Sequence, residues 1–173
     1  PRLKVVARAG VGVDNIDIAA ATRAGVVVLN APGTNAISAG EHAIALLLAL
    51  TRQIPFANAT THAGEWRRKQ VKPIDLRGRT AGVIGLGRVG TIVAKRLKAF
   101  EMQVIAHDPY IPDTRFAEIG VDEVSLEDLF ARSDVVTFHC PSTPENHHML
   151  NATTLARMKP GAIVINAARG EIV

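Results

Sequence analysis

The chain has 173 residues, 47% of them apolar and 21% charged, a balance ordinary for a soluble globular protein. Its net charge is +4 and its isoelectric point about 9.7, but the basic residues are scattered, so we expect no nucleic-acid partner. The longest apolar run, residues 43–50, is too short to cross a bilayer, so we expect no membrane partner. The single cysteine, Cys140, precludes an internal disulfide and suits a reducing, cytoplasmic location.

The beginning of the chain predicts a small strand–helix–strand unit. The apolar pattern gives a strand at 3–9, a helix at 16–25 and a strand at 26–30. A glycine-rich turn joins the first strand to the helix. We place a domain boundary near Thr34, so that residues 1–34 and 35–173 belong to different domains.

Two helices are predicted after this boundary. Ser38 with Glu41 three residues later has the spacing of a capping box, which predicts a helix start at Ser38. The following residues 43–50 are apolar almost all round, so this helix is either deeply buried or part of a subunit contact. Pro55 suits the first turn of the next helix.

From Thr80 onward, apolar strands alternate with helical patterns. Strands are predicted at 80–85, 102–108, 134–139 and 162–167, and helices at 89–97, 113–119, 125–131 and 151–159. Nearly continuous apolar strands with helices between them indicate a parallel sheet covered on both faces. The expected fold class is therefore α/β, with a doubly wound, Rossmann-like sheet.

Three glycines, Gly85, Gly87 and Gly90, lie between the strand at 80–85 and the next helix. Such a motif alone also fits a tight turn. In this context the first glycine lets the chain turn, the second lets backbone approach a pyrophosphate, and the third lets helix and strand pack closely. The phosphates would lie against the N–H groups at the helix start, with Arg88 adding a cation. We therefore predict a dinucleotide cradle.

An acidic residue follows at the distance that such a cradle predicts. Asp108 lies 18 residues after Gly90, at the end of the next strand. A carboxylate there accepts hydrogen bonds from both adenosine ribose hydroxyls and repels a 2′-phosphate, which favours NAD over NADP. The alternative is that Asp108 only begins the turn at 108–113, since Asp before Pro is common in turns.

Residues that follow the last two strands should border the same cofactor. Cys140 and Pro141 follow the strand at 134–139, although a cysteine there also fits a small buried hydrophobic residue. Arg169 follows the last strand. Its guanidinium could hold a substrate carboxylate and polarise a carbonyl, or it could be an ordinary surface arginine.

The histidines near this edge do not predict a metal site. His139, His147 and His148 have no carboxylate or cysteine at a familiar ligand spacing. The neighbours His147 and His148 would point apart on a helix or strand. We expect no metal ion.

Five stretches of the sequence together resemble the D-isomer-specific 2-hydroxyacid dehydrogenases. They are ARAGVGVDNID, NAPGTNAISAGEHAIALLLAL, GVIGLGRVG, DVVTFHCPSTPENHHMLN and MKPGAIVINAARGEIV. The resemblance covers nearly the whole chain, and the last stretch is highly specific to the family. It implies an NAD-binding Rossmann domain at 35–173, truncated at its C-terminal side. Residues 1–34 would be the tail of a flavodoxin-like substrate domain and an interdomain segment.

The resemblance also implies roles for the nucleotide-side residues. Arg88 and Val89 match residues that meet the pyrophosphate, and Asp108 matches the acid that binds the ribose. The residues that match the lining of the nucleotide pocket are Cys140, Pro141, Ala167 and Ala168.

On the substrate side, the resemblance identifies Arg169 with the catalytic arginine, which binds the substrate's carboxylate and carbonyl. Val11 and Gly12 match the edge where the substrate domain faces the nicotinamide, and Asn35 matches a residue near the substrate. The family's catalytic histidine and its glutamate partner match no residue of this chain. We therefore expect a piece of a longer protein that is nearly inactive alone but still binds NAD.

The resemblance implies an oxidoreductase that oxidises a small D-2-hydroxy acid with NAD. The first sixty residues are most similar to the branch of the family that oxidises a phosphorylated three-carbon acid on the way to serine. One alternative is a reductase of glyoxylate, hydroxypyruvate or another 2-keto acid. Another is a non-enzymatic, NAD-sensing scaffold of the corepressor type.

The segment 38–66 is where we expect the chain to form a homo-oligomer, a dimer or a tetramer. Trp66 lies in a stretch that resembles the family's subunit contact, although core packing fits it equally well. The cations at 67–69 are candidates for a substrate phosphate, and a solvated charged face is the alternative.

Overall fold

The computed structural model describes residues 2–173 and divides the chain into two compact units. One unit ends at Ser38 and the other begins at Ala39, so the boundary falls inside a helix. Each unit has its own parallel sheet.

The first unit is a strand–helix–strand arrangement. Its elements are β1 (Val5–Ala7), α1 (Ile18–Arg23) and β2 (Val27–Leu29). The two strands pair in parallel, with Val5 opposite Val27. Helix α1 begins where the Asp17 carboxylate accepts a hydrogen bond from the Ala20 backbone N–H at 2.7 Å, an N-cap interaction.

The second unit opens with helices α2 (Ala36–Thr51), which starts before the boundary, and α3 (Ile54–His62), followed by a 3-10 turn at Arg68–Gln70. Pro55 lies in the first turn of α3, as predicted. The predicted capping box is wrong, because Ser38 lies inside α2. The Glu41 carboxylate does not reach back to the helix start but accepts a hydrogen bond from Arg96 at 3.0 Å.

The second unit's sheet has five strands. They are β3 (Thr80–Ile84), β4 (Gln103–His107), β5 (Asp122–Glu123), β6 (Val135–Phe138) and β7 (Ile163–Asn166). All pairings are parallel, in the order β5-β4-β3-β6-β7, which confirms the doubly wound α/β fold. Strand β5 was not predicted, because its two residues are both exposed acids and form no apolar pattern.

Four helices connect these strands. They are α4 (Arg88–Ala99), α5 (Asp113–Ile119), α6 (Leu126–Arg132) and α7 (Ala152–Leu155), and a 3-10 turn at Gly170–Ile172 follows β7. Helix α7 is shorter than the predicted 151–159. After α7 the chain continues with hydrogen bonds of the 3-10 type. The Arg157 N–H donates to the Thr154 carbonyl, and the Met158 N–H donates to the Leu155 carbonyl.

The core of the second unit lies on both faces of the sheet. Neighbouring β3 residues point to opposite faces, so Val83 joins one buried cluster and Ile84 the other. The first cluster contains residues of α2 and α4, such as Leu47 and Leu97. The second contains α6 residues such as Phe130. Burial on both faces explains why the strands are almost wholly apolar.

Helix α2 buries only one side. Ala43, Ile44 and Leu47 are buried, whereas Leu46 and Leu50 are 38% and 54% exposed. The sequence left burial and subunit contact as alternatives for this helix, and the structure buries only one of its faces. The helices of residues 2–173 contain no apolar stretch of the length that a bilayer crossing needs.

Candidate functional site

The order of the strands creates a crevice at one edge of the large sheet. Strand β3 pairs with β4 on one side and with β6 on the other, and the chain turns in opposite directions on leaving them. Ligands of open α/β sheets bind at such a switch point, outside the carboxyl ends of the strands. A ligand site is therefore expected at the loops that follow β3 and β6.

A cavity of about 300 Å³ opens at this point. Its wall contains five residues that the sequence nominated: Gly85, Gly87, Asp108, Cys140 and Pro141. The volume is at the lower limit of small-molecule pockets, which suits part of a dinucleotide better than the whole. The structure thus brings together residues that are more than fifty positions apart in the chain.

Two of the three motif glycines are required by the fold itself. Gly85 has φ +86°, and a Cβ there would lie 2.8 Å from the Cys140 backbone nitrogen. A Cβ on Gly90 would overlap the Gly85 carbonyl oxygen and lie 3.0 Å from its carbon. These glycines let the loop turn and let α4 pack against it.

Gly87 is different, because nothing in the structure requires a glycine there. Its φ is −66°, and a Cβ built on it would have no atom within 4 Å. It is the N-cap residue of α4, whose first residues are Arg88 and Val89. The open space beside Gly87 and the N–H groups of this first turn fit a phosphate group, which binds at helix N-termini.

Asp108 holds two loops of the crevice together. One carboxylate oxygen accepts a hydrogen bond from the Leu86 N–H at 2.8 Å, and the other accepts from the Tyr110 N–H at 3.0 Å. The second bond is the turn predicted as the alternative role of Asp108. It does not exclude the first role, because each carboxylate oxygen has two acceptor sites and can still receive a ribose hydroxyl.

At the end of β6, burial is the main influence on the pKa values of two cavity-lining side chains, Cys140 and His139. Burial raises the pKa of the Cys140 thiol, a backbone hydrogen bond lowers it, and the nearby Asp108 carboxylate raises it again, with a net upward shift. Burial also lowers the pKa of His139 to about 4, so its imidazole is neutral at pH 7. The His139 Nε2 atom pairs with the Thr137 hydroxyl at 2.9 Å. The Cys140 and His139 side chains are therefore both uncharged at neutral pH.

The residues after β7 lie at the same edge of the sheet, because β7 pairs with β6. Ala167 packs against one core cluster and Ala168 against the other. The Asn166 side chain donates to the Arg169 carbonyl at 2.8 Å and accepts from the Ala168 N–H at 3.0 Å. The Arg169 guanidinium is partly buried and donates to the Ala168 carbonyl at 3.0 Å.

The prediction that His147 and His148 point apart is wrong. Their ring centroids are 4.0 Å apart, because the segment is a turn and His148 has a left-handed backbone with φ +51°. Within residues 2–173, no group of three or more His, Cys, Asp or Glu side chains is arranged to hold a metal ion.

Three nominated residues lie in the first unit. The Val11 carbonyl accepts a hydrogen bond from the Asn30 side chain at 2.8 Å, and the Gly12 carbonyl accepts from the Arg8 guanidinium. Asn35 is exposed in the turn before α2. These bonds fix the glycine-rich turn of this unit.

Trp66 and the cations after it lie on the surface. Trp66 is 81% exposed, so the alternative that it packs in the chain's own core is wrong. The Arg67 guanidinium pairs with the Glu65 carboxylate, and residues 67–69 are all exposed.

The cavity-lining residues that sequence reasoning missed include Tyr110 and Asn146. Tyr110 follows the Asp-Pro turn, a position that could have been considered with Asp108. Asn146 has no sequence signal, because its role depends on a loop whose shape appears only in three dimensions.

The fold and the cradle together define the class of protein, an α/β domain that binds a dinucleotide at the switch point of its sheet. The family model for the D-isomer specific 2-hydroxyacid dehydrogenase, NAD binding domain, matches residues 44–173. The chain belongs to this family, and its cofactor is NAD.

Curated relatives are similar over the whole chain. D-3-phosphoglycerate dehydrogenase of Archaeoglobus fulgidus is 56% identical over 171 residues, which are 99% of this chain and 32% of the relative. The enzyme of the same name from Mycobacterium bovis is 50% identical over 173 residues, 100% of this chain and 33% of the relative. The chain thus spans about a third of the length of the curated relatives it matches.

Solved structures agree with the fold. The apo-structure of D-lactate dehydrogenase from Escherichia coli superposes with a TM-score of 0.90 at 37% identity, covering 98% of this chain and 54% of that one. D-lactate dehydrogenase from Aquifex aeolicus, complexed with NAD and lactic acid, has a TM-score of 0.89 at 34% identity, covering 100% and 52%.

Proposed function

We propose that the chain is the NAD-binding part of an enzyme that oxidises D-3-phosphoglycerate to 3-phosphohydroxypyruvate, a step of serine biosynthesis. The relatives of that name, about 50% identical across the whole chain, support the substrate. The observation that carries the nucleotide site is the open space beside Gly87, a glycine that the fold itself does not need.

In this proposal the cavity holds the adenosine half of NAD. Asp108 accepts hydrogen bonds from the ribose hydroxyls, and the backbone at Gly85, Gly87 and Gly90 approaches the pyrophosphate. Arg88 and Val89 begin the helix whose N–H groups face the phosphates. The pocket is completed by Cys140, Pro141, Ala167 and Ala168.

Arg169 is the catalytic residue that we assign to this chain. NAD supplies the acceptor for the hydride that leaves the substrate alcohol. The Arg169 guanidinium would bind the substrate carboxylate through two parallel hydrogen bonds and orient the carbon that is oxidised. Asn166 supports this role, because its side chain fixes the backbone on both sides of the arginine's attachment point.

Residues 1–34 are proposed to belong to the substrate domain, with Val11 and Gly12 on its substrate side. Asn35, which follows this boundary, is proposed to lie near the substrate. The apolar residues of its two strands support this, since Val5, Val27 and Leu29 are all about half exposed. Strands with so much exposed apolar surface gain stability when further elements cover them.

Helices α2 and α3 are proposed as the surface for a homo-oligomer. Leu46, Leu50 and Phe56 line an apolar depression of about 530 Å³ on this side of the second unit. Exposed apolar patches of this kind mark protein contacts. Trp66 follows these helices in the chain and is itself exposed. A cytoplasmic location accords with the single, unpaired cysteine.

The test is a substrate panel on the full-length polypeptide that contains this chain. We expect NAD-dependent oxidation of D-3-phosphoglycerate with kcat/KM at least about tenfold above that for D-glycerate, since the phosphate adds charge-assisted hydrogen bonds. Equal values for the two acids would contradict the proposed substrate, and a preference for reducing glyoxylate would favour the related reductases.

Arg169→Lys tests the assigned catalytic role in the same assay. Lysine keeps the charge but loses the bidentate geometry, so we expect kcat/KM to fall about 10²-fold. Arg157→Lys is the matched control, because Arg157 pairs with Glu127 on the exposed surface. A full rate in Arg169→Lys would remove the arginine from the mechanism.

A further inference from the structure

One polar side chain in the cavity wall has no role in the site described so far. Asn146 lies in the loop that follows β6 and is only 9% exposed. It borders the same cavity as Asp108 and Cys140. A buried amide is costly unless its hydrogen bonds are made, so its partners show what it does.

The Asn146 side chain ties the loop to the end of β6. Its amide nitrogen donates to the Pro141 carbonyl at 2.7 Å and lies 3.7 Å from the Cys140 sulfur. Its amide oxygen accepts from the Thr143 N–H at 2.7 Å. One side chain thus holds three residues that line the cavity.

The Asn146 backbone strengthens the same arrangement. Its N–H donates to the Thr143 carbonyl at 3.2 Å, and its carbonyl accepts from the Met149 N–H at 3.1 Å. Met149 also lines the cavity. The loop contains no helix or strand between residues 139 and 151, so hydrogen bonds define its shape. The Asn146 bonds hold its first half, and the His148 and Leu150 N–H groups tie its second half to the Glu171 and Ile172 carbonyls.

Only an amide satisfies this set of partners. Aspartate keeps an acceptor for the Thr143 N–H but places a second oxygen against the Pro141 carbonyl, where no donor remains. Leucine has a similar size and removes every side-chain hydrogen bond. The two substitutions therefore separate the donated bond from the accepted one.

We propose that Asn146 is a positioning residue for nucleotide binding, which sets the cavity wall opposite Asp108 by fixing Cys140, Pro141 and Thr143. This inference rests on the proposed function, in which the cavity holds the adenosine half of NAD. Asn146 acts on nucleotide binding through the loop, by keeping the cavity wall in place before the ligand arrives.

The chain carries a reporter for this loop, because Cys140 is its only cysteine. The reaction of its thiol with a chromogenic aromatic disulfide measures how often the loop opens. AMP, the adenosine half of the cofactor, is the ligand probe. The variants are Asn146→Leu and Asn146→Asp, with Asp108→Ala in parallel.

Asn151→Leu is the matched control. Asn151 also organises local backbone, since its side chain accepts from the Thr153 and Thr154 N–H groups and donates to the His148 carbonyl. It is exposed and does not line the cavity. Its loss should lower thermal stability without changing the AMP Kd or the Cys140 reaction rate.

For both Asn146 variants we expect the AMP Kd to rise about tenfold, and for Asn146→Leu, which adds no charge beside the thiol, we expect the Cys140 reaction rate to rise about fivefold. Saturating AMP should slow the reaction in the wild-type chain. If Asn146→Leu does not fold, the AMP Kd of Asn146→Asp decides, because this variant keeps the accepted hydrogen bond, loses the donated one and adds one negative charge.

The outcomes separate the two proposals. If Asp108→Ala weakens AMP binding but both Asn146 variants bind like the wild type, Asn146 has no positioning role and the nucleotide site stands. If none of the three substitutions changes the AMP Kd, the cavity does not hold adenosine, and both proposals are wrong.

Discussion

Replacing Gly87 and Gly90 one at a time by alanine separates a ligand requirement from a folding requirement. The two glycines are three residues apart in the same motif, and each substitution adds one methyl group. At position 90 the methyl group would overlap the Gly85 carbonyl oxygen. At position 87 it would have no atom within 4 Å. The same chemical change should therefore have opposite consequences.

The magnitudes follow from these surroundings. Alanine inside a helix gains about 1 kcal/mol over glycine, but overpacking costs about 1–3 kcal/mol and more where backbone must move. The Gly85 carbonyl carbon, 3.0 Å from the new Cβ, belongs to a left-handed turn that has little freedom. We expect Gly90→Ala to lower the free energy of unfolding by about 3 kcal/mol. Gly87→Ala should cost about 1 kcal/mol or less, the penalty of alanine at an N-cap.

The assay pairs urea denaturation with a fluorescence titration of NADH. Gly87→Ala should fold almost like the wild type and bind NADH at least about tenfold more weakly, because its methyl group occupies the space assigned to the pyrophosphate. Wild-type NADH affinity in Gly87→Ala would refute the reasoning, since the space beside Gly87 would then hold no phosphate. A fully stable Gly90→Ala would refute the packing argument.

The remaining predictions concern stability and assembly. Burial raises the pKa of Asp134, but the Thr80 N–H and the Lys159 and Arg79 cations together lower it by more, so the net pKa lies below the ordinary value of an aspartate. Asp134→Asn should therefore cost about 1–2 kcal/mol at pH 7, and urea denaturation at several pH values should show the cost disappearing as pH falls below about 4. Gly82→Ala should cost about 3 kcal/mol in the same assay, since its Cβ would lie 2.6 Å from a side-chain carbon of Leu129. Leu50→Glu should shift sedimentation toward a monomer, and an unchanged oligomer would place the contact elsewhere.

The large sheet could be predicted because its signals are local. Strands buried on both faces read as continuous apolar runs, and glycines and prolines separate them from the helices. Strand β5 was not predicted, because its two residues, Asp122 and Glu123, form no apolar pattern. They form a strand only because they pair with Ile105 and Ala106 of β4. Its existence is set by its neighbours rather than by its own residues.

Two predictions were wrong, one because of a contact between distant residues and one because of a local backbone conformation. Ser38 and Glu41 have the spacing of a cap, but Glu41 pairs with Arg96, 55 positions later. The orientation of the His147 and His148 rings depends on the left-handed backbone of His148. No feature of the sequence predicts a left-handed conformation at this histidine.

The candidate site divides in the same way. Gly85, Gly87, Gly90 and Asp108 could be nominated because their spacing follows from the geometry of one strand–helix–strand unit. Asn146 could not, because its partners are the Pro141 carbonyl and the Thr143 N–H, and backbone groups leave no trace in a sequence.

The most direct test of the central claim is the affinity of the chain for NADH against NADPH, measured for the wild type and for Asp108→Asn. The wild type should bind NADH at least about tenfold more tightly, because the Asp108 carboxylate accepts from the ribose and repels a 2′-phosphate. Asp108→Asn removes the charge and replaces one of the two oxygens that accept from the Leu86 and Tyr110 N–H groups, so the preference should shrink. Equal wild-type affinities, or an unchanged preference in the variant, would contradict an adenosine ribose held at Asp108.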